Sequence, residues 1–94
     1  MKITKELLGL FRYLLQYGVS LSELLQEIRF SYCLSYRQIA DIVELSPQRI
    51  CDIIKGRSNI KEETYLRILY HLDTKLNLNH SEVKRHYAAS YSKK

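Results

Sequence analysis

Ser35-Tyr-Arg-Gln-Ile-Ala-Asp-Ile-Val-Glu-Leu-Ser-Pro-Gln-Arg-Ile-Cys-Asp-Ile-Ile-Lys-Gly56 reads as two short helices joined by a tight turn. Ser35 is followed three residues later by Gln38. That is the capping-box spacing, in which each side chain satisfies an orphan backbone N–H near the helix start. The spacing predicts a helix over about Tyr36–Val43, with Ile39, Ala40 and Val43 on one face. Glu44-Leu45-Ser46 breaks the run. Ser46 suits an N-cap, and Pro47 suits the first helical position, where its missing N–H would be unpaired anyway. The second helix is expected from Pro47 to about Lys55. Ile50, Ile53 and Ile54 point inward, and Gln48, Arg49, Asp52 and Lys55 are left on the outer face. Gly56 supplies the stop, where a positive φ costs least.

Working outward, Ser20 and Glu23 repeat the capping-box spacing and start a helix over Leu21 to about Tyr32, with Leu24, Leu25, Ile28 and Tyr32 as its inward stripe. Before it, Thr4 can cap a helix over about Lys5–Tyr17, stopped by Gly18. Its apolar residues spread over more than half the circumference, so one flank packs on the domain and another stays exposed unless covered. This helix either enlarges the core or offers a dimer or partner surface through Leu7, Leu10, Phe11 and Leu14. After the central pair, Asn59 and Glu62 again have the cap spacing and predict a helix over Lys61–Leu72, with Tyr65, Leu66, Ile68, Leu69 and Leu72 apolar. Glu62 and Glu63 in its first turn suit the helix dipole. Asp73–Leu78 reads as a polar connection. Asn79 and Glu82 start a last helix over about His80–Ala89, weakly apolar through Val83, Tyr87 and Tyr91, and Ser90–Lys94 reads as a mobile tail.

The segment from Glu27 to Asp73 resembles the helix-turn-helix family of phage lambda and Cro-type repressors (the xenobiotic-response-element type). Ala40 stands where that family has a small residue between its two helices. Leu45-Ser46 matches the turn, Ile50 the buried residue of the second helix, and Gly56 the glycine after it. Arg29 and Leu34-Ser35 match the family's arginine and its Leu-Ser entry, and Tyr65, Ile68 and Leu72 the stripe of the next helix. Two positions depart. Glu44 stands where the family usually has Gly, and Ile54 where it often has a Glu paired with the helix-one arginine. Arg29 must therefore find another partner or reach solvent.

The 94 residues fit one domain, 46% hydrophobic, with one Pro and three Gly. Helix caps outnumber strand signals. The expectation is an all-α bundle of five to six helices with a lambda-repressor-like helix-turn-helix core, the last part resting on the resemblance. Residues 1–19 hold the additional N-terminal helix, 20–73 the core, and 74–94 the C-terminal helix and basic tail. No apolar run approaches a membrane span, and Arg12 interrupts the one stretch that could pass for a leader. Cys33 and Cys51 are too far apart for a CxxC pair and read as reduced thiols of a cytoplasmic protein.

The formal net charge is +5. Residues 1–33 contribute +1, residues 34–73 zero, and residues 74–94 +4. Within the neutral centre the charge is sorted, because Ser46–Lys61 holds four basic residues and one acid. Local sorting points to nucleic acid better than the total does.

The resemblance implies that the second helix of the pair enters the major groove with its N-terminal residues at base edges. Ser46, Pro47, Gln48, Arg49 and Asp52 then face bases. Gln48 can bond adenine N6 and N7 together. Arg49 can take guanine or a phosphate, and Asp52 can accept from cytosine N4 or pair within its helix with Lys55 or Arg49. Tyr36 and Arg37 would touch phosphates at a helix N-terminus, and Lys55, Arg57, Ser58, Asn59 and Lys61 would grip the backbone on the other side. The eight tyrosines can stack on single-stranded bases, but Tyr13, Tyr32, Tyr65 and Tyr70 sit on helical stripes and read as core filling.

No metal-ligand spacing links His71, His80 and His86, and no Gly-rich phosphate loop exists. Neither an enzyme nor a cofactor is expected. The expected function is sequence-specific binding of double-stranded DNA as a transcriptional repressor or regulator, of phage or plasmid kind, acting as a homodimer on a palindromic operator. The alternative is an antitoxin- or antirepressor-like module that binds a protein partner through the apolar first helix. No membrane partner is expected.

Overall fold

A computed structural model describes residues 2–92 of the chain. Six helices follow in order: α1 Lys5–Gln16, α2 Leu21–Ser31, α3 Tyr36–Val43, α4 Pro47–Ile54, α5 Glu62–Leu76 and α6 His80–Ser92. Among the described residues there is no strand, and no helix is long and apolar enough to cross a membrane. The globule measures 33 × 31 × 26 Å.

The starts of the helices are set by local chemistry. Thr4, Ser20, Ser35 and Ser46 have extended backbones, and each side chain accepts from the N–H three residues on. At Ser35 the box is reciprocal, with Gln38 Oε1 accepting from the Ser35 N–H at 2.8 Å. At Ser20 it is not: the Glu23 carboxylate instead accepts from the Ser20 hydroxyl. Four helices stop by one device. Gly18, Cys33, Glu44 and Gly56 take left-handed φ of 67°, 54°, 59° and 72°. The next N–H in each case reaches back five residues, Val19 to Leu14, Leu34 to Arg29, Leu45 to Ala40 and Arg57 to Asp52, which satisfies carbonyls that the helix end would leave open.

The core is a single apolar cluster. Leu10, Leu14, Leu25, Ile39, Ile50, Leu69 and Leu72 lose all exposure, and each such side chain contributes about 1.5–3 kcal/mol by leaving water. Helix α3 packs on α4 and α5, α2 on α4, and α1 on α5 and α6. Among the described residues no charged side chain is buried. Tyr65 lies at the centre. Its hydroxyl donates to the Val19 carbonyl at 2.8 Å, and its ring meets Phe11 edge-on at 5.6 Å.

Several expectations need correction. Leu7, Leu10, Phe11 and Leu14, offered either as core or as a dimer or partner surface, are 2%, 0%, 7% and 0% exposed and belong to the core. Both α5 and α6 pack on α1, so the flank that might have faced a partner is covered by this chain's own last helix. Helix α5 starts one residue later than expected, with Lys61 at its N-cap and no side-chain cap, so Asn59 does not cap it. It also runs four residues further, to Leu76, where Asn77 takes a left-handed φ of 52°. Asp73–Lys75 are the helix's polar residues rather than a connection, and Leu76 prolongs the stripe of Leu72 by one turn.

Tyr32, expected inward, caps the end of α2 and is 42% exposed. The chain turns away at Cys33 before residue 32 can join the stripe. Helix α6 outlasts its expected end at Ala89 and continues to Ser92. Tyr87 is buried on the core, while the side chain of Tyr91 and residues 93–94 of the tail lie outside the described residues.

Candidate nucleic-acid interface

Helix α4 carries two opposite faces. Ile50 and Ile53 are buried, and Ile54 is half-buried against the core. Pro47, Gln48, Arg49 and Lys55 are exposed, and Asp52 is partly so. The helix is held at both ends. The Ser46 hydroxyl accepts from the Arg49 N–H at 3.1 Å. At the other end the Ile54 carbonyl accepts from the Ser22 hydroxyl of α2. An eight-residue helix is about 12 Å long, close to the width of a B-DNA major groove, about 12 Å.

The outer side chains are already organised. Gln48 Nε2 donates to Asp52 Oδ1 at 3.1 Å, and Arg57 Nη1 stands 3.8 Å from the same oxygen. Asp52 is therefore engaged with Gln48 and Arg57, and not with Lys55 or Arg49 as its intrahelical alternative had it. Arg49 Nη1 donates to the Ser58 hydroxyl at 3.3 Å, which joins a base-facing candidate to a backbone-gripping one. These contacts are exposed and short-range, and each such pair is worth at most about 1 kcal/mol. They orient the side chains without locking them.

The remaining candidates flank this face in the sequence. Arg37, Lys55, Arg57, Asn59 and Lys61 are exposed, while Tyr36 and Ser58 are half-buried. Tyr36 has a partner that the sequence left open: the Arg29 guanidinium lies 4.7 Å from the centre of its ring. This is where Arg29 goes in the absence of an acid at position 54, and the cation–π contact ties the end of α2 to the start of α3.

Sequence reading missed the clamp on the α3–α4 turn. Glu44 has a left-handed φ of 59°, the conformation expected of a glycine there. Its Oε2 lies 3.6 Å from His71 Nδ1 and 3.5 Å from Lys75 Nζ, both on α5. The signal was present in the i, i+4 spacing of His71 and Lys75, which puts them on one helix face. The spacing is informative only where α5 continues past Leu72. His80 and His86 also face carboxylates, Asp73 at 2.8 Å and Glu27 at 3.7 Å. Among the described residues no group of three or more His, Cys, Asp or Glu is arranged to hold a metal.

Compared with protein-family models, curated proteins and solved structures, the chain has no match.

Proposed function

We propose that this chain is a sequence-specific double-stranded DNA-binding regulator of the lambda repressor/Cro type, a cytoplasmic repressor acting as a homodimer on a palindromic operator. One observation carries the reading. Helix α4 buries Ile50 and Ile53 while Gln48 and Arg49 stand in solvent together on the opposite side. Four basic residues between Ser46 and Lys61 oppose one acid, and that acid already faces Arg57. Had Gln48 and Arg49 been buried, or had Tyr36–Lys55 formed one rod, the reading would have failed.

The size of the domain favours two copies. One α4 offers only a few base contacts, and half-sites lie about 34 Å apart on one face of DNA. A body 33 × 31 × 26 Å across lets two copies sit side by side at that spacing. The competing reading, a protein partner docked on Leu7, Leu10, Phe11 and Leu14, loses its surface, because those side chains are in the core. A homodimer must likewise use other residues.

A gel shift on random and candidate operator duplexes at two salt concentrations tests the proposal. The affinity is expected to fall with a log–log slope of roughly −0.9 per neutralised phosphate. Arg49→Ala is expected to weaken binding without changing the fold. Absence of any shift at low salt, or a shift indifferent to Gln48→Ala and Arg49→Ala together, contradicts it.

A further inference from the structure

We propose that Asp52 is a positioning residue that fixes which end of the Gln48 amide faces the bases, so that α4 reads adenine in preference to guanine at the Gln48 step. The inference rests on the DNA-binding reading above and adds to it the role of the acid.

Gln48 and Asp52 are one helical turn apart, and Gln48 Nε2 donates to Asp52 Oδ1 at 3.1 Å. An ionised carboxylate only accepts hydrogen bonds. Turning the Gln48 amide over would set its Oε1 against Oδ1, two acceptors with no proton between them. The carboxylate therefore selects one orientation, with the amide nitrogen toward Asp52 and Oε1 away from it.

Asp52 is itself held. Its Oδ1 lies 3.8 Å from Arg57 Nη1, and its backbone carbonyl accepts from the Arg57 N–H at 2.8 Å in the turn after α4. Arg57 thus offsets a charge that would otherwise repel the phosphates, and it keeps the carboxylate beside Gln48.

The consequence for readout follows from what each base presents. Adenine offers a donor at N6 beside an acceptor at N7, whereas guanine offers two acceptors, O6 and N7. With Oε1 outward, Gln48 presents an acceptor together with the second N–H of its amide, which complements adenine. Guanine needs donors alone, and the amide can supply them only by turning its nitrogen away from Asp52. Asp52 on this account does not accept from cytosine N4. It acts through Gln48.

The test selects bound sequences from a pool of randomised duplexes, using the full chain and the variants Gln48→Ala, Asp52→Asn and Asp52→Ala. The native chain is expected to enrich adenine at one position of each half-site, and Gln48→Ala to lose that enrichment. Asn can donate as well as accept, so Asp52→Asn frees the amide to turn over. The adenine-over-guanine ratio at that position is then expected to fall about threefold, the scale on which one exposed side-chain pair can bias an orientation. If Asp52→Asn keeps the native ratio, or weakens all sequences equally, the inference is overturned while DNA binding stands. If the native chain enriches nothing, the DNA reading fails and the inference goes with it. A measurement without DNA checks the orientation alone. The Gln48 side-chain amide protons should exchange with water more slowly than those of exposed Gln16, and should match them in Asp52→Ala. Equal rates in the native chain overturn the inference.

Discussion

Glu44 occupies a left-handed position that costs an L-residue about 1–2 kcal/mol relative to its usual conformations. The turn between α3 and α4 tolerates it because His71 and Lys75 of α5 both approach its carboxylate. The two effects can be separated. Glu44→Ala keeps the strain and loses the contacts to His71 and Lys75, so it should destabilise the fold by up to about 1 kcal/mol. Glu44→Gly also loses the contacts but relieves the strain, and should be about 1 kcal/mol more stable than the alanine variant. Urea melts of the three proteins decide the order, and an alanine variant as stable as the glycine one would show that the turn is unstrained.

Tyr65 gives the other residue-level test. Burial, its largest influence, pushes its phenol well above the ordinary value of 10, with Tyr87 and Glu23 adding to the shift. The folded chain therefore holds this proton more tightly than the unfolded chain does. The stabilising effect is complete below about pH 10 and is lost as the pH rises from there through the raised folded value. Tyr65→Phe should cost about 1–2 kcal/mol at pH 7, since the Val19 carbonyl loses its donor. The variant should also show a flatter alkaline decline. Melts at neutral and alkaline pH measure both, and a native-like alkaline decline in the variant would show that Tyr65 is not the group responsible.

At the scale of elements, what was legible in the sequence was what is local. The starts of α1 to α4 follow from Thr4, Ser20, Ser35 and Ser46 and the residues three positions on, and α4 follows from Ser46-Pro47 and Gly56. What failed depended on neighbours elsewhere in the chain. The sequence shows that α1 has a wide apolar face but not that α6 covers part of it. It shows polar residues at Asp73–Lys75 but not that the helix continues through them. The outward position of Gln48 and Arg49 was readable from the 3.6-residue period, and so was the i, i+4 placement of Gln48 and Asp52, whereas the contacts of Arg49 to Ser58 and of Asp52 to Arg57 were not, because a turn beyond the helix brings Arg57 and Ser58 back. The role of α1 can be tested. Leu10→Ala should cost about 2–5 kcal/mol and leave self-association as it is in the native chain. If it left stability intact and changed only self-association, α1 would be an interface rather than core.

At the scale of the whole molecule, the +5 charge says less than its arrangement. Among the described residues no charged side chain lies in the core, and the one acid among the four bases of Ser46–Lys61 stands next to a basic side chain. The account needs one face of one short helix to meet DNA while the rest of the domain serves to hold it still. Backbone amide chemical shifts recorded while duplex DNA is titrated into the labelled protein test this most directly. The account predicts that the changes gather at Ser46–Lys61 and at the start of α3 around Tyr36 and Arg37, and that they weaken as salt is raised. Changes confined to α1 or α6, or none at all with any duplex at low salt, would contradict it.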